Sequence, residues 1–120
     1  MGVDDSPDKT KKILWRGLLG VRQPPGCNYF GDSTIMGAYT TVFGIAETKE
    51  SFIRRVADET AKCGLDLVSL DDIEIAYQNG KFVKFREMTH GFRVVAKAAL
   101  SDGLVWETNW FTYESDESLN

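Results

Sequence analysis

The stretch Glu74–Tyr113, EIAYQNGKFVKFREMTHGFRVVAKAALSDGLVWETNWFTY, decides the predicted fold. Strand-like segments alternate in it with three turn signals, Asn79-Gly80, His90-Gly91 and Asp102-Gly103. Asn79-Gly80 is the strongest of these, because both residues readily take the positive φ that a type I′ hairpin turn requires. The apolar residues of Phe92–Leu100 alternate with period two, so we predict a strand there and an antiparallel meander overall.

The segments before the meander predict a strand, a helix and a second strand. Ala38–Ala46 is rich in β-branched and aromatic residues, as strands are. Thr48 offers a helix N-cap, and the apolar residues of Lys49–Cys63 recur at spacings of three and four, which indicates an amphipathic helix. Leu65–Leu70 predicts a short returning strand, and Asp71-Asp72 predicts a turn after it.

This order of elements predicts an α+β fold. We expect a twisted antiparallel β-sheet, built as β-α-β followed by a β-meander, with one amphipathic helix packed on one face. The β-α-β opening resembles half of a ferredoxin-like fold. No second helical periodicity is evident between the later strands, so a more curled, cystatin-like or barrel-like sheet is the competing variant.

The composition along the chain predicts four segments. Residues 1–12 are polar and charged and predict a disordered tail, and 13–37 predict an irregular Gly/Pro-rich N-terminal extension. Residues 38–113 are expected to form a single α+β domain, followed by an acidic tail over 114–120. The sharp change in composition before Gly37 also leaves open that Met36 is the true translation start.

The charge and the sequence motifs argue against several functional classes. The net charge is −4 and the sequence pI is about 4.9, which disfavours a general polyanion binder. Cys27, Cys63 and His90 make no zinc pattern, and no phosphate loop is present, so we expect no metal and no cofactor. The N-terminal residues 1–12 are polar with no apolar h-region, so we expect no signal peptide, and no apolar run approaches ~20 residues, which favours a cytoplasmic protein.

The favoured function is non-enzymatic binding through the sheet surface. Tryptophan and tyrosine dominate interface hot spots, so Leu104–Tyr113, which we predict as the last strand, supplies the candidate anchors Trp106, Trp110, Phe111 and Tyr113. Three carboxylates, Asp71, Asp72 and Glu74, would meet a basic partner. The hypothesis is a neutralising partner of another protein, similar in role to an immunity protein or an antitoxin.

Three alternatives remain open from the sequence. A basic patch of Lys84, Arg86, Arg93 and Lys97 on two adjacent strands could contact nucleic acid, although the acidic chain disfavours it. A ligand-binding or catalytic pocket between the helix and the curled sheet would use Tyr39, Phe43, Tyr77 and His90. The chain could also form a homodimer by pairing of exposed edge strands.

Overall fold

The computed structural model describes residues 12–32, 34–106 and 110–114. They form an α+β fold around one curled antiparallel sheet, as predicted. The strands lie in the order β4-β3-β1-β2-β5, and β6 pairs with the other end of β2. The elements in chain order are β1 Leu14–Arg22, β2 Gly37–Ile45, α1 Lys49–Lys62, β3 Asp66–Gln78, β4 Lys81–Phe82, a short 3-10 helix Phe85–Glu87, α2 His90–Asp102, β5 Leu104–Trp106 and β6 Phe111–Tyr113.

Strand β1 lies in the middle of the sheet, so the prediction that 13–37 is irregular is wrong for Leu14–Arg22. It pairs with β2 in one unbroken antiparallel register and with β3 on its other side. Gly17 fits this central strand because a Cβ atom there would lie 2.9 Å from Leu70 Cδ1, closer than real contacts allow. A chain beginning at Met36 would lack the strand that joins β2 to β3.

Strand β3 is one long strand where a strand, a turn and a second strand were predicted. Asp71-Asp72 does not reverse the chain; instead Asp72 takes a positive φ of 52° within the strand, and the pairing with β1 is locally irregular. The predicted turn at Asn79-Gly80 is confirmed, with φ values of 56° and 79°. The strand that follows this turn, β4, is only two residues long, Lys81–Phe82.

Helix α1 is confirmed with its caps. Thr48 Oγ1 accepts a hydrogen bond of 3.0 Å from the Ser51 backbone N–H, which satisfies a free donor of the first turn. Gly64, just after the helix, has a φ of 79°, a conformation that glycine adopts without strain. The helix buries Phe52 and Val56 against one face of the sheet.

Residues 90–102 form a second helix, α2. The predicted strand at Phe92–Leu100 is therefore wrong, and so is the prediction of a single helix. Thr89 Oγ1 caps it by accepting from Phe92 N–H at 3.2 Å, and Gly103 ends it with a φ of 93°. His90-Gly91 and Asp102-Gly103 therefore mark helix ends. The alanine-rich segment favours a helix intrinsically, and Ala96 and Ala99 allow it to pack closely on the sheet.

The two helices cover opposite faces of the sheet. Val42 and Phe43 are neighbours in β2 and are both fully buried, but Val42 packs with the α1 side and Phe43 with the α2 side. Successive strand residues point to opposite faces, so the sheet is the middle of three layers. Neither helix, within the described part of the chain, is long and apolar enough to cross a membrane.

Candidate protein-binding surface

Helix α2 covers only one end of its face of the sheet, and Arg16 marks where the cover stops. The Arg16 guanidinium carbon lies 5.8 Å from the centre of the Phe92 ring, and its Nε lies 3.9 Å from Glu74 Oε2. Strand β1 continues beyond Arg16 to Arg22, which adds roughly 20 Å of strand at about 3.3 Å per residue. We call the uncovered surface on this side of the sheet the open face.

The open face is apolar and aromatic. The alternation of side chains along β1 and β2 and the register of β6 place four apolar residues on it, namely Leu18, Tyr39, Phe111 and Tyr113. Phe111 is 77% exposed and Leu18 is 37% exposed. A large aromatic ring this exposed is unusual for a folded chain, and exposed apolar patches mark interaction sites.

Two glycines let the tyrosine rings lie against the sheet. A Cβ atom built on Gly20 would lie 2.8 Å from Tyr39 Cε1 and 2.6 Å from Ser69 Oγ, and one built on Gly37 would meet the Tyr113 hydroxyl. Side chains at these positions would therefore push the rings away. The Tyr39 and Tyr113 rings are 5.9 Å apart and form one aromatic surface over the glycines.

Side chains from distant strands meet at the far end of the open face. Val68 of β3, which is 51% exposed, and Tyr113 of β6 line one cavity of about 250 Å³ together with Arg22 and Met36. Strands β1 and β2 lie between β3 and β6 in the sheet. The strands are therefore curled enough to bring residues of non-adjacent strands into one concave surface.

Carboxylates border the open face along β3. Asp71 and Asp72 are exposed, while Glu74 forms ion pairs with Arg16 and with Lys84, the latter at 3.7 Å. Among the described residues, β4 pairs only with the last two residues of β3, so the rest of this strand edge has no strand partner. Charged side chains and irregular backbone on such an edge discourage pairing with another copy of the same edge.

The four predicted anchors separate into two pairs. Phe111 and Tyr113 lie on the open face, whereas Trp106 and Trp110 pack against the core on the α1 side. The Trp106 and Trp110 rings are 5.9 Å apart, and Trp110 also contacts Phe30 at 5.2 Å. The tryptophans therefore contribute to packing while they remain partly exposed, and their role as surface anchors stays a prediction.

The predicted basic patch is not built on two adjacent strands. Arg93 and Lys97 belong to α2, Arg86 to the 3-10 helix, and Lys84 lies between β4 and that helix. The Arg93 guanidinium donates to the Arg86 carbonyl oxygen at 3.0 Å. These cations are thus distributed over three local structures, because the segment folds as a helix.

The predicted pocket residues do not converge either. Phe43 is fully buried, with its ring 6.2 Å from that of Phe92, and Tyr77 is 8% exposed in the same packing. Tyr39 lies on the open face at the other end of the sheet. His90 is exposed at the first residue of α2. The pocket was expected between α1 and the sheet, whereas Phe43 and Tyr77 pack on the opposite face, against α2.

Leu18, Val68 and Gly20 of the open face were not predicted as site residues. The one signal in the sequence was the close spacing of Gly17 and Gly20 between apolar residues, which favours a strand approached closely by neighbouring chains. The exposure of Leu18 and Val68 has no local signal, because it depends on where α2 begins on the sheet.

Two titratable groups with shifted pKa values lie outside the open face. The Thr34 side chain, and then its backbone N–H, donate to the Asp32 carboxylate and lower the pKa of Asp32 below its ordinary value. Burial raises the pKa of the Cys63 thiol, with smaller contributions from Glu59 and Cys27. Both cysteines are free thiols.

Comparisons with protein-family models, with curated proteins and with solved structures gave no match. Within residues 12–32, 34–106 and 110–114, no group of three or more His, Cys, Asp or Glu side chains is placed to hold a metal ion.

Proposed function

We propose that this chain is a non-enzymatic binding protein whose open face engages a partner protein. The observation that carries the proposal is the exposure of Phe111, which is 77% accessible beside Tyr39, Tyr113 and Leu18. Exposing this surface to water is unfavourable, and covering it with a partner would recover the hydrophobic free energy. Aromatic residues at the centre of such a patch commonly dominate the binding energy.

The acidic border favours a partner with a basic surface. Asp71 and Asp72 lie exposed on β3, next to the apolar part of the open face, and the chain carries a net charge of −4. A complementary surface would present an apolar centre flanked by Lys or Arg, which speeds association at low salt and excludes acidic competitors. The acidic border favours one form of the proposal, a neutralising partner of a basic protein, as immunity proteins and antitoxins are.

The proposal places this encounter in the cytoplasm, where the free thiols of Cys27 and Cys63 remain reduced. Pairing of two copies through β3 is the weaker candidate. If two β3 strands paired, Asp71 and Asp72 would lie near the same residues of the second copy or at the end of the paired segment. Carboxylates that close to one another are unfavourable.

The test compares two surface variants in a pull-down of the full chain from its native cells, followed by affinity measurement on the recovered partner. Phe111→Ser removes the exposed ring of the open face, and Val94→Ser is the matched control, because Val94 is 54% exposed on α2. We expect Phe111→Ser to weaken binding by about 30-fold, the effect of losing a hot spot of ~2 kcal/mol. Val94→Ser should leave the affinity unchanged.

Two outcomes would contradict the proposal. Equal binding by both variants would show that the partner contacts another surface. A dimer in light scattering that Phe111→Ser converts to a monomer would show that the open face serves self-association.

A further inference from the structure

The two cysteines lie together at the end of the sheet where β1 finishes and β3 begins. Arg22, the last residue of β1, pairs with Asp66, the first residue of β3. Cys27 follows β1 after a turn in which its backbone N–H donates to the Pro24 carbonyl oxygen at 3.0 Å, and Cys63 is the C-cap of α1. The register of the sheet therefore brings these two segments to one place.

The Cys27 sulfur lies against the residue that directly follows Cys63. A Cβ atom built on Gly64 would lie 3.7 Å from Cys27 Sγ, which is an ordinary van der Waals contact. Consecutive Cα atoms are about 3.8 Å apart, so the Cys27 sulfur is also near the Cys63 backbone. Both cysteines are partly buried, and both pack against the core cluster on the α1 side of the sheet.

The electrostatics of Cys63 agree with this placement. Burial is the largest cause of the raised pKa of the Cys63 thiol, and Glu59 and Cys27 raise it further. A negative charge on Cys27 therefore opposes ionisation of Cys63, and such repulsion weakens as the distance grows. Both side chains are free thiols in this structure.

The coil that carries Cys27 can move toward Cys63. A disulfide requires the two Cα atoms to lie about 4.4–6.8 Å apart. Pro25, Gly26 and Asn28, which flank Cys27, are exposed, and a Cβ atom built on Gly26 would meet nothing within 4 Å. The coil can therefore shift without breaking a packed contact of these flanking residues.

We infer that Cys27 and Cys63 form a reversible modification site, at which a low-molecular-weight disulfide such as oxidised glutathione converts the two thiols into an intramolecular disulfide. First, one cysteine thiolate attacks a sulfur of the reagent, which gives a mixed disulfide and releases one reduced thiol. The other cysteine then attacks the protein sulfur of that mixed disulfide and displaces the second reduced thiol. The protein loses two electrons and two protons, and the reagent becomes two thiols. Excess reduced glutathione reverses both steps.

The bridge would fasten the coil after β1 to the end of α1. This coil carries Phe30, whose ring centre lies 5.2 Å from that of Trp110. It ends at Met36, whose backbone N–H donates to the Tyr113 carbonyl oxygen at 2.8 Å. Oxidation would therefore also restrain the contacts that hold β6. The inference concerns the thiols alone and does not require the proposed partner.

The test is to equilibrate the full chain with reduced and oxidised glutathione, quench it with acid, and measure the disulfide by intact mass and peptide mapping. The same equilibrium is measured in concentrated urea. The bridge closes a loop of about 36 residues, so we expect it to form roughly a hundredfold more readily in the folded chain, which already holds the thiols together. The Tm of the oxidised chain should be about 10 °C higher than that of the reduced chain, and dithiothreitol should abolish the difference.

Cys27→Ser and Cys63→Ser are the matched controls, because each nearly keeps the size of the side chain and leaves one thiol. Each variant should stop at the mixed disulfide and show no such rise in Tm. Three results would overturn the inference: a wild-type chain that also stops at the mixed disulfide, a bridge between two chains, or a disulfide that forms no more readily in the folded chain than in urea.

Discussion

Replacing Gly20 by alanine tests the packing that supports the open face. The new methyl group would lie 2.8 Å from Tyr39 Cε1 and 2.6 Å from Ser69 Oγ, and both contacts are shorter than real Cβ atoms make. Ser69 can rotate its hydroxyl away. The Tyr39 ring has less freedom because the Tyr113 ring lies 5.9 Å away, so it must tilt out of the surface.

The magnitude follows from two opposing effects. Overpacking of a well-packed site costs roughly 1–3 kcal/mol, while the change from glycine to alanine recovers about 0.4–1 kcal/mol by restricting the unfolded chain. We therefore expect Gly20→Ala to lower the free energy of unfolding by about 1 kcal/mol. For a chain of this size, that corresponds to a fall in Tm of about 5 °C.

The assay is thermal and urea unfolding followed by circular dichroism, with Gly91→Ala as the control. Gly91 is in the first turn of α2, and a Cβ atom there meets nothing within 4 Å. Alanine at this helical position should raise stability by about 0.5 kcal/mol. If Gly20→Ala proved as stable as the wild type or more so, the close packing of Tyr39 over β1 would be refuted. The double variant Gly20→Ala/Ser69→Ala should recover part of the loss.

Three other predictions concern the rest of the chain. A chain starting at Met36 should show no cooperative unfolding by circular dichroism, because it lacks β1; a normal Tm would contradict the central position of that strand. Thr34→Ala should raise the pKa of Asp32 toward its ordinary 3.8, as measured by NMR titration of the carboxyl carbon, and an unchanged pKa would exclude Thr34 as the cause. The raised pKa of the Cys63 thiol means that the unfolded chain loses this proton first, so stability falls as the pH rises from about 9.0 through the folded value. In urea unfolding above pH 9.0, Cys63→Ser should lose less free energy of unfolding than the wild type does. Equal losses would contradict the assignment of this pH dependence to the Cys63 thiol.

The parts of the fold that were predictable are those in which local signals agree. Thr48, the apolar spacing after it and Gly64 all indicate α1, and the structure has each of them in the expected role. Asn79-Gly80 likewise forms the expected hairpin turn. In both cases the residues that determine the conformation lie in the element itself or directly beside it in the sequence.

Helix α2 was missed because its apolar residues fit two periods at once. Phe92, Val94 and Ala96 alternate as in a strand, but the buried residues Ala96 and Ala99 are spaced for a helix. Alanine favours helices and is depleted in strands, so intrinsic propensity was the better guide here than alternation. The Thr89 N-cap was a second available signal.

Strand β1 and the open face depend on contacts between distant segments. Gly17 and Gly20 disfavour a strand locally, yet the sheet requires glycine there because Leu70, Ser69 and Tyr39 occupy the space of a side chain. The extent of the open face is set by where α2 begins, with Phe92 of its first turn against Arg16. Neither contact can be read from periodicity, since each joins residues far apart in the chain.

The central position of β1 also affects how this protein is made on the ribosome. Of the described strands, β1 leaves the exit tunnel first, but its partner β3 must be synthesised up to Tyr77 before Leu14 can pair with it. At about 5–20 residues per second, the nascent chain holds the apolar side chains of Leu19 and Val21 without their full cover for several seconds. Translation speed between β2 and β3, and chaperones that bind emerging hydrophobic segments, should therefore influence the yield of folded protein more than they would for a sheet whose first strand lies at an edge.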